Sequence, residues 1–192
     1  MIALQRQAQD PDIALLEATA RGEAAAFERL HRRYYKKLFG FALRLTGRME
    51  TAEEVVSDTL MVVWRKADTF LGQSRPSTWI FGIAYRIAMK ARTKGARDSL
   101  HDEIDESHAS DRTGPQEIET LFERKRILAA LQHLPAEQRA AVELTYYHGY
   151  TMAEIAEVLD CPVGTVKTRM FHARAKLRRL LEGGTAEQGG PA

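Results

Sequence analysis

The residues best suited to chemistry in this sequence are six cations between positions 163 and 181, a stretch without any acidic residue. They are Lys167, Arg169, Arg174, Lys176, Arg178 and Arg179. Like charges spaced along one helix destabilise it, so this uncompensated excess indicates an external anionic partner. Lysine and arginine bind phosphate oxygens and the acceptor edges of bases. The stretch therefore predicts a nucleic-acid contact.

Patterns for catalysis are missing from the sequence. Its six histidines and single cysteine show neither an HExxH motif nor Cys/His ligand spacing, and no glycine-rich phosphate loop occurs. We interpret Cys161 as a packing residue. We expect no catalytic residue, metal, cofactor or small-molecule substrate. Because no apolar run of about 18 residues occurs and a lone cysteine cannot form an internal disulfide, we expect a cytoplasmic protein without direct membrane insertion.

The cations belong to a segment with the layout of a helix-turn-helix, residues 152–171. Thr151 and Glu154 form a capping-box pattern at its start, and Asp160 tolerates the left-handed backbone of the turn. The second helix carries an apolar stripe about 100° wide, and its members are Val163, Val166, Met170, Ala173, Leu177 and Leu180. One apolar seam on a cationic helix is typical of a helix that lies in the major groove of DNA.

The remaining periodicities are also helical. Apolar residues at steps of three and four mark three stripes, which begin at Phe27, Val56 and Ile80. Asp10-Pro11 is typical of a helix start, and Thr51 with Glu54 forms a second capping-box pattern, which predicts a helix that begins after Thr51. No alternating strand pattern competes, so the sequence predicts an all-α fold.

Charge divides the chain into parts. Residues 1–97 carry 17 Lys/Arg against 10 Asp/Glu, whereas residues 98–115 carry 1 against 6. The acidic stretch holds only two large aliphatic residues and cannot bury enough surface to offset its ordering entropy. We predict two small helical domains, 1–97 and 116–182, joined by a flexible acidic linker, 98–115, with a disordered tail at 183–192.

Three motifs resemble those of the extracytoplasmic-function (ECF) sigma factors of the sigma-70 superfamily. They are residues 51–65, residues 77–84 and residues 160–169, in that order along the chain. The resemblance covers residues 12–181. It implies that 1–97 is sigma region 2 and 116–182 is sigma region 4. It further implies an alternative sigma factor that binds core RNA polymerase and promoter DNA, and that an anti-sigma factor, often membrane-bound, holds inactive.

The same resemblance assigns site residues by position. Core polymerase binding falls to Glu53, Glu54 and Asp58. Recognition and melting of the −10 element fall to Gln73, Ser74, Arg75, Ser77, Trp79, Arg86 and Lys90. Recognition of the −35 element falls to Thr165, Lys167, Thr168, Arg169, Phe171, His172, Arg174 and Lys176. Three positions depart from the family pattern: Gly82 lies where many members carry arginine, Arg86 lies where they carry asparagine, and His172 lies where arginine is common.

Two other functions fit parts of the sequence. An autonomous helix-turn-helix regulator would bind duplex DNA tightly without polymerase, and a protein-interaction bundle would show no salt-dependent DNA affinity. The acids on residues 51–69 also fit an ordinary solvated helix surface. Trp79 and Phe81 fit core positions better than stacking on DNA.

Overall fold

The computed structural model describes residues 10–98 and 126–183, and all regular structure within these ranges is helical. The helices are α1 (Pro11–Ala20), α2 (Ala24–Thr46), α3 (Met49–Lys66), a 3-10 turn (Ala67–Thr69), α4 (Pro76–Asp98), α5 (described over 126–132), α6 (Ala136–Tyr146), α7 (Met152–Val158) and α8 (Val163–Gly183). The predicted all-α fold is confirmed. The predicted linker, apart from Asp98, and the tail beyond residue 183 lie outside the described residues.

The first domain, α1–α4, packs around α2, the helix with the first apolar stripe. Leu30, Leu38, Phe41 and Leu45 on this stripe are completely buried, as the periodicity predicts. Gly47, with φ +76°, ends α2 in the left-handed conformation that a side chain would disfavour. The chain then turns directly into α3, so that α2 and α3 lie side by side.

Helix α1 is attached to α2 through a buried carboxylate. Asp10 caps α1 by accepting the N–H of Asp12 at 3.0 Å, and Pro11 occupies the first helical position, as predicted. The buried Asp12 accepts the hydroxyl of Tyr34 at 2.6 Å and pairs with Arg33. Burial, together with the hydrogen bond to Asp12, raises the pKa of Tyr34, so the phenol remains protonated.

The predicted capping box at Thr51 and Glu54 is wrong. Helix α3 begins two residues earlier, at Met49, and the backbone carbonyl of Arg48 already accepts the N–H of Ala52 at 3.0 Å. Thr51 therefore lies inside the first turn. The early start follows from the position of Gly47: it ends α2, and the next residue, Arg48, has the extended backbone of an N-cap, so the first turn of α3 already includes Thr51.

The second domain, α5–α8, encloses a smaller core. Leu144 of α6, Ile155 of α7 and Val166 of α8 are each fully buried and face one another across the three helices. The arrangement presents α8 on the outside of the domain, with one side against α6 and α7. Within the described ranges, no helix has both the length and the apolar character needed to cross a membrane.

Candidate nucleic-acid interface

Helix α8 is positioned by the turn that precedes it. Thr151 and Glu154 form the predicted capping box at the start of α7: the Thr151 hydroxyl accepts from the Glu154 N–H, and the Glu154 carboxylate accepts from the Thr151 N–H. Asp160 adopts φ +49°, the left-handed conformation expected for the turn. The Cys161 N–H then donates to the Ala156 carbonyl at 3.0 Å. These bonds fix the direction in which α8 leaves the turn.

The predicted seam of α8 is buried only at its centre. Val166, Met170 and Ala173 are buried against the domain core. Val163 and Leu180, at the two ends, are more than a third exposed. The helix extends beyond the core at both ends, so its terminal apolar residues have less protein to contact than the periodicity predicts.

Most residues assigned to the −35 element share the open side of α8. Lys167, Thr168, Phe171, His172 and Arg174 are exposed, and Thr165, Arg169 and Lys176 are half-buried. Phe171 is 70% exposed, and its ring lies edge-on to that of His172 with centroids 5.5 Å apart. A large aromatic left in water within a cationic face is typical of a binding surface.

Two of these side chains are engaged within the domain. The Thr168 hydroxyl donates to the Gly164 carbonyl at 3.1 Å, and Arg169 contacts the Cys161 sulfur at 3.3 Å through one guanidinium nitrogen. Arg169 therefore lies back along the turn, while Lys167 and Arg174 extend into solvent. This geometry also gives Cys161 a contact partner, which fits its interpretation as a packing residue.

The residues assigned to the −10 element are distributed over a loop and α4. Gln73, Arg75, Arg86 and Lys90 are exposed, whereas Ser74, Ser77 and Trp79 are half-buried. The Trp79 ring packs on Phe70 with centroids 5.5 Å apart, so it connects α4 to the start of the loop that precedes this helix. Arg92, a further cation of α4, donates to the Leu45 carbonyl at 2.6 Å and helps to end α2.

Arg75 contacts the second domain. Its guanidinium donates to the Glu154 carboxylate at 3.1 Å, and this hydrogen bond is the main cause that raises the pKa of Arg75. Asp10 lies 3.9 Å from the same guanidinium. One of the predicted −10 cations is thus paired with the first helix of the helix-turn-helix.

The two domains also meet through a polar cluster that belongs to none of the sequence motifs. Arg44 of α2 forms an ion pair with Glu143 of α6, a carboxylate that is 0% exposed. Arg139, also buried, donates to the Arg44 carbonyl at 2.8 Å. Burial raises the pKa of Glu143 against the opposing effect of Arg44, and burial lowers the pKa of Arg139 to about 10.

Aromatic contacts complete the junction between the domains. The His148 ring lies 4.6 Å from Phe81 and 6.1 Å from Phe41, centroid to centroid, and Tyr150 lies 5.6 Å from Phe81. Burial lowers the pKa of His148 to about 4, and the nearby charges of Arg44 and Lys37 act in the same direction. A cleft of about 810 Å³ opens beside these rings.

The acids assigned to polymerase lie together on one helix. Glu53, Glu54 and Asp58 are all exposed on α3, in the first domain. Glu54 and Asp58 are four residues apart and lie on adjacent turns of one face, whereas Glu53 is rotated about 100° from Glu54 around the helix axis. In the part of the chain that the structure describes, no group of three His, Cys, Asp or Glu side chains could hold a metal ion.

Comparison with known proteins identifies the family. Residues 30–98 match sigma-70 region 2, and residues 124–177 match sigma-70 region 4. The ECF RNA polymerase sigma factor SigL of Mycobacterium tuberculosis is 32% identical over 171 residues, which cover 88% of this chain and 97% of that protein. The chain is an ECF sigma factor. It is therefore a transcription initiation factor of the sigma-70 superfamily.

Other relatives and solved structures agree with the family assignment. The ECF RNA polymerase sigma-E factor of Haemophilus influenzae is 30% identical over 181 residues, covering 89% of this sigma factor and 95% of that one. The structure of CnrH in complex with the cytosolic domain of CnrY has a TM-score of 0.70 at 25% identity and covers 91% of this chain and 99% of CnrH. The sigma factor RpoE of Bartonella quintana, solved with the anti-sigma factor NepR, has a TM-score of 0.65 at 28% identity. The match covers 81% of this chain and 96% of that one.

Proposed function

We propose that this sigma factor binds core RNA polymerase and directs it to promoters whose −35 duplex is read by α8. The observation that carries this proposal is the exposed face of α8, where cations surround Phe171 and His172 on a helix-turn-helix of a sigma-70 region 4. Side chains near the start of such a helix contact base edges, and later cations contact phosphates. We assign no catalytic role to any residue of this chain.

Run-off transcription with core polymerase tests the proposal. The full chain is expected to direct specific transcripts that core polymerase alone does not make. A charge-reversed chain, Lys167→Glu with Arg174→Glu, is expected to lose them. The control chain carries Arg21→Glu with Arg32→Glu, two exposed cations of the first domain. If the chain binds promoter duplex tightly alone and core polymerase adds nothing, it is an autonomous regulator.

We propose that the surface of α3 with Glu53, Glu54 and Asp58 docks on core polymerase. Exposure of all three acids supports this, since a basic polymerase surface would contact them without any rearrangement of α3. Asp58→Lys is expected to weaken pull-down of core polymerase at least tenfold, while Glu17→Lys, an exposed acid on α1, is expected to have little effect. Equal pull-down by both variants would contradict the assignment.

We propose that the loop before α4, with Gln73, Ser74, Arg75, Ser77 and Trp79, contacts −10 DNA together with Arg86 and Lys90. The support is the mixture of exposed cations and a half-buried tryptophan around one loop, which suits an unpaired strand. We also propose that an anti-sigma factor holds this protein inactive, because the similar sigma factor RpoE of Bartonella quintana was solved with such a partner. The site of action is then the cytoplasm, where promoter and polymerase meet.

A further inference from the structure

The cleft between α2 and the second domain is assigned no role by the proposed function. Its volume of about 810 Å³ lies within the range of small-molecule sites in proteins. Residues of α2 between Arg33 and Arg44 form one wall, and residues that follow α6, between Tyr147 and Tyr150, form another. The cleft is therefore large enough, and enclosed enough, to hold a small molecule.

Positive charge predominates in the lining of this cleft. Five cationic side chains line it, against two carboxylates, Asp10 and Asp12. Each of the three arginines among these cations already has an acidic partner. The pairs are Arg33 with Asp12, Arg44 with Glu143 and Arg75 with Glu154. The arginines therefore hold the walls together, and the excess charge belongs to the other two cations.

Those two cations are lysines without an acidic partner. Lys36 and Lys37 are exposed, and no acid in the part of the chain that the structure describes lies within ion-pair distance of either. The Lys37 ammonium lies 6.0 Å from the centroid of the Tyr34 ring, a contact that does not neutralise its charge. This charge acts within the cleft, since it is one cause of the lowered pKa of His148. Two adjacent uncompensated ammonium groups are complementary to an anion.

Gly40 shapes the wall that α2 provides. A glycine inside a helix lowers the stability of that helix. A Cβ atom at this position would lie 3.2 and 3.4 Å from two guanidinium nitrogens of Arg44, closer than side chains normally pack. The glycine therefore allows the Arg44 guanidinium to lie close to the backbone of α2. There the central carbon of the guanidinium is 4.5 Å from the centroid of the Tyr147 ring.

Tyr147 provides an aromatic surface in the same cleft. Although Arg44 contacts the ring, the residue is still 53% exposed. An accessible tyrosine ring can stack on a planar heteroaromatic group such as a nucleic-acid base. One cleft thus combines cations suited to phosphate with a ring suited to a base.

We propose that this cleft binds a free nucleotide, with its phosphate groups at Lys36 and Lys37 and its base on Tyr147. A phosphate group carries between one and two negative charges at neutral pH, and lysine binds it as a point charge. A nucleoside diphosphate therefore offers enough charge for both lysines. The nucleotide is a ligand and not a substrate, since we assign no reaction to the cleft.

Binding of a nucleotide is expected to affect the loop before α4. Arg75 and Ser77 line the cleft, and both are among the residues that we assign to −10 DNA. A nucleotide in the cleft and the −10 strand then compete for these side chains. This regulatory consequence rests on the proposed function, whereas the binding itself does not.

Isothermal titration calorimetry of the full-length chain tests the binding. The probes are ADP, GDP, CDP and UDP, and the comparison probes are pyrophosphate and the four nucleosides. The best diphosphate is expected to bind about tenfold more tightly than pyrophosphate, because its base adds a stacking contact. Its nucleoside alone is expected to bind more weakly still. Binding by none of the diphosphates, or equal binding of pyrophosphate, would overturn the proposal.

A pair of double variants tests the two lysines. Lys36→Ala with Lys37→Ala is expected to weaken binding of the best diphosphate about tenfold or more, as for the loss of hydrogen bonds to a charged group. Arg65→Ala with Lys66→Ala changes the net charge equally at exposed positions near the end of α3, outside the cleft, and should have little effect. Equal weakening by the two variants would show a general attraction of anions and contradict the site.

Two neighbouring tyrosines test the stacking contact. Tyr147→Ala is expected to weaken binding of the diphosphate but not of pyrophosphate, and Tyr147→Phe, which keeps the ring, should restore it. Tyr146→Ala is the matched control, because Tyr146 is 62% exposed and does not line the cleft. Wild-type affinity in a folded Tyr147→Ala chain would overturn the assignment of the base. Circular dichroism verifies that each variant is folded.

Failure of this proposal and failure of the proposed function give different results. Calorimetry contains no polymerase or DNA, so a chain that binds no diphosphate but supports run-off transcription overturns only the nucleotide site. A chain that binds the diphosphate but directs no transcription overturns only the proposed function. The competition predicts that the diphosphate inhibits transcription by the wild type more than by the Lys36→Ala, Lys37→Ala chain. Equal inhibition of both would contradict it.

Discussion

Helices α4 and α8 have similar sequence signals but different surroundings. Both are long, follow or begin with a proline, and carry several cations. Helix α8 buries one seam and leaves its cationic face in water, whereas α4 is enclosed by both domains between residues 80 and 85. Charge and periodicity identify surfaces suited to DNA. Packing between domains decides which of those surfaces is free.

The strongest test of this comparison uses one phenylalanine from each helix. Phe81 is 1% exposed and contacts His148 and Tyr150, while Phe171 is 70% exposed. Phe81→Ala is expected to reduce the free energy of unfolding by about 3–5 kcal/mol, as for other buried phenylalanines. Phe171→Ala should change it by less than about 0.5 kcal/mol, because a surface substitution leaves no cavity.

Urea denaturation followed by circular dichroism measures both values. The affinity for −35 duplex DNA is measured as well, since Phe171→Ala is expected to weaken this binding while the fold persists. Comparable losses of stability in the two variants would show that α8 is packed as closely as α4, and the contrast between the helices would fail.

A smaller effect distinguishes base contacts from phosphate contacts on α8. His172→Ala is expected to change the preferred −35 sequence and to weaken the best site about tenfold, which corresponds to about 1.4 kcal/mol. Arg174→Ala should weaken all sequences alike and lower the slope of log K against log salt by about 1. Binding to a randomised −35 library at several salt concentrations measures both. An unchanged sequence preference in His172→Ala would contradict its assignment.

The junction between the domains is expected to depend on pH through His148. Burial lowers the pKa of His148 to about 4, so contact between the domains favours the neutral ring. A histidine in water has a pKa near 6.5. The stability that the neutral ring contributes is complete above about pH 6.5 and is lost as the pH falls towards 4. The charges that face it, Arg44 and Lys37, oppose its protonation.

Small-angle X-ray scattering measures the radius of gyration of the wild type and of His148→Gln between pH 7.5 and pH 5, and the difference between the two proteins isolates this effect. Glu143, whose pKa is raised by burial, acts in the opposite sense, because its protonation at low pH favours contact between the domains. The wild-type radius of gyration should therefore rise on acidification more than that of His148→Gln. Parallel curves for the two proteins would exclude His148 as the sensitive group.

The smallest expected effect concerns the helix that covers α4. Thr151→Ala removes the hydroxyl that accepts the Glu154 N–H and should destabilise the chain by about 1 kcal/mol, as for other N-caps. Thr93→Ala, in the interior of α4, is the matched control. Its hydroxyl bonds the Met89 carbonyl one turn back, a contact with little net value, so stability should not fall. Thermal denaturation compares the two.

Sequence patterns predicted the elements that obey local rules. The stripe on α2, the cap at Asp10 and the capping box at Thr151 were confirmed, since helix periodicity and capping depend on residues only a few positions apart. The left-handed Asp160 was also predictable, because few residue types tolerate that conformation. The exposed face of α8 followed from the same periodicity.

The junction between the domains was not predictable in this way. Arg44 and Glu143 are 99 positions apart, and neither lies in a motif. A signal did exist, because Glu143 interrupts the apolar run Ala140–Leu144, where a charge is unexpected. Gly82 was a second signal, because a glycine in the interior of a helix lowers the stability of that helix. Both residues indicate a buried surface, but the sequence does not show what covers that surface, because the covering residues belong to the other domain.

The bond between Thr168 and Gly164 has a consequence for the bases that α8 can accept. A hydroxyl has a single proton, and here that proton is given to the helix's own carbonyl. The Thr168 hydroxyl then has only its lone pairs to offer to a base. In the major groove, the exocyclic amino groups of adenine and cytosine complement lone pairs, while the carbonyl oxygens of guanine and thymine repel them.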